Sequence, residues 1–135
     1  MEPLRMNAFG SWLEKYGEAS REGDPQASAN LFSQDAEYYE SPFDDPIVGR
    51  DAIYQYWSAG AENFRDQEST YEILSVKDDL GIARWQSRFT NNNTGKRLAL
   101  DCIFLAEFDI DGKCSVFREW WHLQTLNSNA QERFR

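Results

Sequence analysis

Strict alternation in the C-terminal half of the chain limits it more than any other feature. Between Gly81 and Thr90, Ala83, Trp85, Ser87 and Phe89 alternate with Ile82, Arg84, Gln86 and Arg88. Between Arg97 and Phe108, Leu98, Leu100, Cys102, Phe104, Ala106 and Phe108 alternate with Ala99, Asp101, Ile103, Leu105 and Glu107. In the last such segment, Lys113 to Leu123, Phe117, Glu119 and Trp121 oppose Val116, Arg118, Trp120 and His122. Successive side chains of a strand point to opposite faces of its sheet, and a slip of one residue turns the whole pattern over. These segments are therefore strands of a sheet whose more apolar face is covered. Turns separate them at Lys77 to Asp79, Asn91 to Gly95 and Asp109 to Gly112, so with Thr70 to Val76 they form an antiparallel meander.

The cover comes from the N-terminal half. Met6, Phe9, Leu13 and Tyr16 fall on one face of a helix, with Trp12 beside them. Gly23 ends that helix. Asp24-Pro25 starts a second, short one, since Asp caps and Pro fits the first helical position. Ala36 to Glu40 predicts a short strand and Ser41 to Gly49, rich in Pro, Asp and Gly, a loop. A third helix runs from about Asp51 to Phe64, with Ile53, Trp57, Gly60 and Ala61 inward and Tyr56 adjacent. Helices segregated to one face of an antiparallel sheet make an α+β fold. The 135 residues suit a single domain over 1–125, followed by a polar tail at 126–135.

Composition excludes several classes of function. Twenty aromatic residues supply a real core. A net charge of −9 repels phosphate backbones and anionic membranes, so neither nucleic acid nor membrane is an expected partner. No apolar run reaches the roughly 18 residues of a transmembrane helix, and Met1 to Arg5 lack the apolar core of a secretion signal; the expected location is cytoplasmic. Cys102 and Cys114 lie in strands, where a free thiol acts as a small hydrophobe. With His122 as the one histidine, no closed metal site is expected, and nothing calls for a cofactor. Asp109 to Gly112 reads as a hairpin turn and not as a calcium loop.

Parity sorts the chemistry. The outward set contains Arg84, Arg88, Asp101, Ile103, Arg118 and Trp120. It mixes apolar groups with matched charges, which predicts a homodimer face with Asp101 paired to Arg84, Arg88 or Arg118; a solvated face with ordinary cross-strand pairs is the alternative. The inward set gathers the candidate site.

The order of elements, together with Gly23-Asp24, Leu31 to Ala36, Pro42 to Ile53, Phe108 to Lys113 and Arg118 to His122, resembles the SnoaL-like branch of the nuclear transport factor two superfamily. The resemblance spans nearly the whole chain. It implies a cone-shaped, strongly curved sheet, with three helices closing its mouth around one internal pocket. It also implies a range of roles: cyclases, ketosteroid isomerases, dehydratases, epoxide hydrolases and pure binding or scaffold proteins. The ketosteroid isomerase pattern places its general-base carboxylate on Glu40 and its oxyanion tyrosine on Tyr16. Where that pattern has a second oxyanion group, an aspartate, this chain has Phe104. Where many SnoaL-like sequences end the last strand with Asp, it has His122.

The catalytic candidates are thus Glu40, Tyr16 and Glu119. The pocket candidates are Tyr38, Trp57, Trp85, Phe104, Phe117 and Trp121. A carboxylate among aromatic walls is desolvated, which raises its pKa and lets it exchange protons near neutrality. Glu40 at a strand end could equally lie in water, and Glu119 could be paired. Three roles fit these residues. One is a pocket that binds a small apolar, carbonyl-bearing metabolite. Another is a cofactor-independent isomerase, cyclase or dehydratase with Glu40 as base. The last is a dimeric association domain with a vestigial pocket.

Overall fold

The computed structural model describes residues 5–126. The elements follow the order α1 (Met6–Glu22), α2 (Pro25–Ala29), β1 (Phe32–Tyr39), β2 (Ile47–Val48), α3 (Arg50–Asn63), β3 (Phe64–Lys77), β4 (Leu80–Asn91), β5 (Arg97–Phe108) and β6 (Cys114–Thr125). Apart from Leu126, the polar tail expected at 126–135 lies outside the described residues.

One six-stranded sheet has the order β2-β1-β6-β5-β4-β3. Strands β3 to β6 form the expected meander. The N-terminal half corrects the sequence reading in several places. β1 starts at Phe32 rather than Ala36 and lies parallel to β6, with Tyr38 opposite Phe117. The segment read as a loop from Ser41 to Gly49 contains β2, which pairs with β1 through Glu37–Val48 and Tyr38–Ile47. β3 starts at Phe64, directly after α3, and not at Thr70. Two register shifts, at Arg65/Glu68 and Ile73/Ser75, interrupt its alternation, which is why the first half of β3 did not read as strand.

α1 buries Phe9, Trp12, Leu13 and Tyr16 against the sheet. Met6, placed on the same stripe by spacing, is 61% exposed in the first turn. Gly23 ends α1 in the left-handed region at φ 62°, and its N–H bonds back to the last turn. The Asp24 side chain accepts from Ala27 N at 3.1 Å, which starts α2. Trp12 Nε1 donates to Leu31 O at 3.0 Å and ties α1 to the α2–β1 joint. Arg50 donates through Nε and Nη2 to Phe32 O at 3.0 and 2.7 Å, fixing the start of α3 over β1. Only Ile53 of α3 is fully buried, so this helix covers the sheet without being packed down along its length.

The burial of β4 alternates as its sequence does: Gly81, Ala83, Trp85 and Ser87 face inward. On the outer face Arg84 donates to Asp101 through Nε at 3.0 Å and Nη2 at 2.6 Å, and Gln86 adds a bond at 3.3 Å. The Arg84 guanidinium holds the Asp101 carboxyl below the usual carboxylate range. Arg118 lies 3.9 Å over the Tyr39 ring. Arg88, Ile103 and Trp120 share this face, and Trp120 is 46% exposed. No described helix is long and apolar enough to cross a membrane.

Gly81 is a tight point in the packing. A Cβ there would lie 2.6 Å from the Phe9 ring, which is fully buried and has no room to retreat. Gly81→Ala should lower stability by about 1–3 kcal/mol, read as a lower urea midpoint by tryptophan fluorescence. Pairing it with Phe9→Leu should cost less than the sum of the two single changes, because the smaller side chain frees the space.

Candidate active site

Inward-facing residues of neighbouring strands line up in rows. Phe117 pairs with Ala106, Glu119 with Phe104, Trp121 with Cys102 and Leu123 with Leu100. The rows continue onto β4 as Gly81, Ala83, Trp85 and Ser87. At the Phe117 row the space is full. Phe117 is fully buried and its ring lies 4.7 to 6.0 Å from those of Phe104, Tyr38, Tyr16, Phe32 and Trp12. It is therefore core beneath the cavity and not pocket wall, a correction to the sequence reading. Parity identifies a face but not a depth.

Beyond that row a cavity of about 360 Å³ opens between the sheet and the helices. Phe104, Glu119, Trp85, Trp121, Ser87, Leu100 and Phe89 form its floor. Tyr16 and Ser20 of α1 and Tyr56, Trp57 and Gly60 of α3 form its roof. Tyr38, Glu40 and Gln67 also line it. Tyr16, Tyr38, Trp57, Trp85, Phe104 and Trp121 are thus brought together as the sequence suggested. Trp121 stands at the mouth, 42% exposed, with Nε1 donating to Glu40 O at 3.2 Å.

The two carboxylates differ in setting. Glu119 lies at the deep end, where Tyr38 Oη donates to its Oε1 at 2.6 Å. Burial pushes the Glu119 carboxyl up to about 7; the Tyr38 bond works in the opposite direction, and the charge of Glu40 adds to the rise. Glu40 follows the last residue of β1, is exposed, and forms part of the rim. Tyr56 Oη donates to Glu40 Oε1 at 2.9 Å. Both acids line the one cavity, Glu119 inside it and Glu40 at its rim.

Burial, followed by the Glu119 charge, raises the phenols of Tyr16, Tyr38 and Tyr56 above the ordinary tyrosine value. They remain protonated, and Tyr38 and Tyr56 donate to Glu119 and Glu40. Tyr56 and Gln67 were not among the sequence candidates. Tyr56 had a weak signal, one turn of helix after the buried Ile53. Gln67 had none, because the register shift beside it breaks the alternation. No group of His, Cys, Asp or Glu among the described residues is arranged to hold a metal ion. Cys102 and Cys114 are buried free thiols.

A deep carboxyl that titrates near neutrality, ringed by phenols under an aromatic roof, is suited to moving a proton on an apolar ligand. Known proteins resemble the chain in sequence and in shape. The chain is 28% identical over 109 residues to a steroid Δ-isomerase of Nocardioides simplex, covering 81% of this chain and 85% of that protein. Its fold is similar to that of a protein described as a candidate isomerase from Bacillus subtilis, with a TM-score of 0.75, 22% identity and coverage of 87% and 90%. It is also similar to SalBIII, an epoxide hydrolase/cyclase-like enzyme with a role in pyran ring formation in the polyether salinomycin. That match has a TM-score of 0.72, 20% identity and coverage of 87% and 95%. The sequence model of the SnoaL-like domain matches residues 13–117, and the chain belongs to the SnoaL-like domain family.

Proposed function

We propose that the cavity binds a small apolar ligand bearing a carbonyl group and that the protein moves a proton on it without a cofactor. The observation that carries this reading is Glu119: a carboxyl at the deep end of an aromatic cavity, bonded by Tyr38 and raised to about 7. In the reaction, the ligand oxygen sits between Tyr16 and protonated Glu119, which donate hydrogen bonds to it. Charge that develops on that oxygen when a neighbouring C–H is deprotonated is stabilised by donors already in place. Glu40, at the rim and oriented by Tyr56, accepts the proton from carbon and returns it to another carbon. A carboxylic acid kept neutral by an apolar site is a known way to build such a donor. The similarity to a steroid Δ-isomerase supports a ligand of fused apolar rings. A pure binding module is the competing reading, and the chemistry of Glu40 separates the two.

The test is incorporation of deuterium from D2O at the α and γ carbons, C4 and C6, of androst-4-en-3-one, followed by mass spectrometry. Glu40→Gln keeps shape and removes the carboxylate. It should slow exchange by about 10²-fold or more and leave binding of the same ketone within about twofold. Exchange at the uncatalysed rate in the unaltered protein would reduce the cavity to a binding site.

Because Glu119 donates only when protonated, the exchange rate should fall as pH rises through about 7. Glu119→Gln keeps a donor and should abolish this limb. Tyr38→Phe removes the bond that favours the carboxylate and should move the limb to higher pH.

The same shift acts on stability. The native carboxyl holds a proton that the unfolded chain releases above about 4.5. Stability should therefore fall as pH rises from about 4.5 to about 7 and level off above, by up to about 3 kcal/mol. Urea unfolding across this range should show the fall in the native sequence and a flatter profile in Glu119→Gln.

A further inference from the structure

The charges and rings of the cavity fit a class of ligand that proton transfer on a ketone does not call for. Glu40 and Glu119 line the cavity, and no described Lys, Arg or His does. Around them stand the phenol and indole rings of Tyr16, Tyr38, Tyr56, Trp57, Trp85 and Trp121. Such rings are negative over their faces and attract cations, most strongly where water is excluded. An entering anion would meet two acids and no base, in a chain of net charge −9.

Both carboxyls are held in place with acceptor capacity to spare. Glu119 accepts from Tyr38 at Oε1, 2.6 Å away, and its Oε2 makes no hydrogen bond with a described residue. Glu40 accepts from Tyr56 at its own Oε1, 2.9 Å away, and its Oε2 is likewise without a donor among the described residues. The Tyr38 and Tyr56 rings lie 5.3 Å apart, so the two acids flank the same stretch of wall. A carboxylate offers about four lone-pair sites, and an ammonium brings several N–H donors on one nitrogen.

A buried carboxylate is costly unless a counter-ion sits beside it. The chain supplies none. The titratable groups that face Glu119 are Tyr16 of α1, Tyr38 of β1, Tyr56 of α3, Cys102 of β5 and Glu40, and none of them is a cation. A ligand can supply what the fold leaves out.

We infer that the cavity also takes an apolar ammonium ion, its rings among the aromatic walls and its N–H donors on the free oxygens of Glu119 and Glu40. Such binding uses the proposed cavity but needs no proton transfer on carbon, so it stands or falls apart from the deuterium exchange. The cation favours ionised Glu119, whereas a ketone oxygen favours the protonated form. Burial holds that carboxyl up to about 7. Ammonium affinity should therefore rise with pH through about 7 and level off above it, opposite to the exchange rate.

Three probes with one ring system test this: 9-(aminomethyl)anthracene, 9-(hydroxymethyl)anthracene and anthracene-9-carboxylate. Their dissociation constants are measured by anisotropy of the anthracene fluorescence from about pH 5.5 to about pH 8, a range in which the amine stays charged. Folding of each variant is checked by circular dichroism. In the unaltered protein at about pH 8, the amine should bind about tenfold more tightly than the alcohol, the gain from charging one partner of a hydrogen bond. The carboxylate should bind most weakly. Amine affinity should fall by up to about tenfold towards pH 5.5, while that of the alcohol changes little. Glu119→Gln should remove most of the amine preference and flatten its pH dependence, leaving the alcohol within about twofold. Glu72→Gln removes the same unit of charge opposite Arg84 on the outer face and should leave amine binding unchanged. Equal binding of amine and alcohol at about pH 8, the full preference surviving in Glu119→Gln, or an equal loss in Glu72→Gln overturns the ammonium site and leaves the exchange reading standing. Failure of all three probes to bind the unaltered protein overturns it as well.

Discussion

Tyr16 is the junction on which the structure turns. Its ring lies 5.0 to 5.8 Å from those of Trp12, Trp57, Trp85, Phe104 and Phe117. Those partners come from α1, α3 and three strands of the sheet. On one side of it the rings of Trp12, Phe32, Phe108 and Phe117 fill the space between α1 and the sheet. On the other side the cavity begins. Aromatic pairs in these geometries add roughly 0.5–1.5 kcal/mol each beyond burial. The cluster is thus stiff enough to hold α1 and α3 off the sheet where nothing fills the gap.

What keeps the gap open is the choice of residues around it. Ser87, Leu100 and Gly60 are small or short where larger rings would close it. Gly17 lets α1 approach Trp85 so closely that an added Cβ would sit 3.0 Å from the indole and 3.2 Å from Ser69 Oγ. That approach brings the Tyr16 turn of α1 down onto the row that carries Trp85. A carboxyl in such a place is unfavourable when charged. The molecule meets this by letting Glu119 hold a proton near neutrality and by bonding it to Tyr38. The same desolvation that costs stability at high pH keeps the carboxyl protonated near neutrality.

Much of this was legible from the residues because a strand has period two. Ala83, Trp85, Cys102, Phe104, Glu119 and Trp121 could be assigned to the inner face without coordinates, and the facing helix supplied Tyr16. The rest failed for physical reasons. Phe117 has the right parity but lies one row too deep, and parity carries no information about depth. β2 is two residues long in a Pro- and Gly-rich stretch, and pairing alone makes it a strand. The parallel β1–β6 contact is a long-range event with no local signature. Gln67 reaches the cavity through a bulge, where alternation breaks down.

That parallel contact bears on the departure the sequence showed at Phe104. Where the ketosteroid isomerase pattern carries an acid on the long strand, this chain has a phenyl ring, which looks like the loss of an oxyanion donor. Yet Glu119 is the cross-strand partner of Phe104, in the same inward row. Directly paired side chains stand about 4.5–5.5 Å apart at Cβ, so the row holds a carboxyl on the neighbouring strand. The strand decides its neighbours. A group on β5 has β4 and β6 beside it, whereas a group on β6 borders β1. Tyr38 is paired with Phe117, one inward step from Glu119, and its hydroxyl reaches the carboxyl at 2.6 Å. Phe104 stacks its ring on Trp85 beside that carboxyl. Ring and acid therefore stand side by side across one pair of strands, and the acid, on β6, is the one within reach of the Tyr38 phenol of β1.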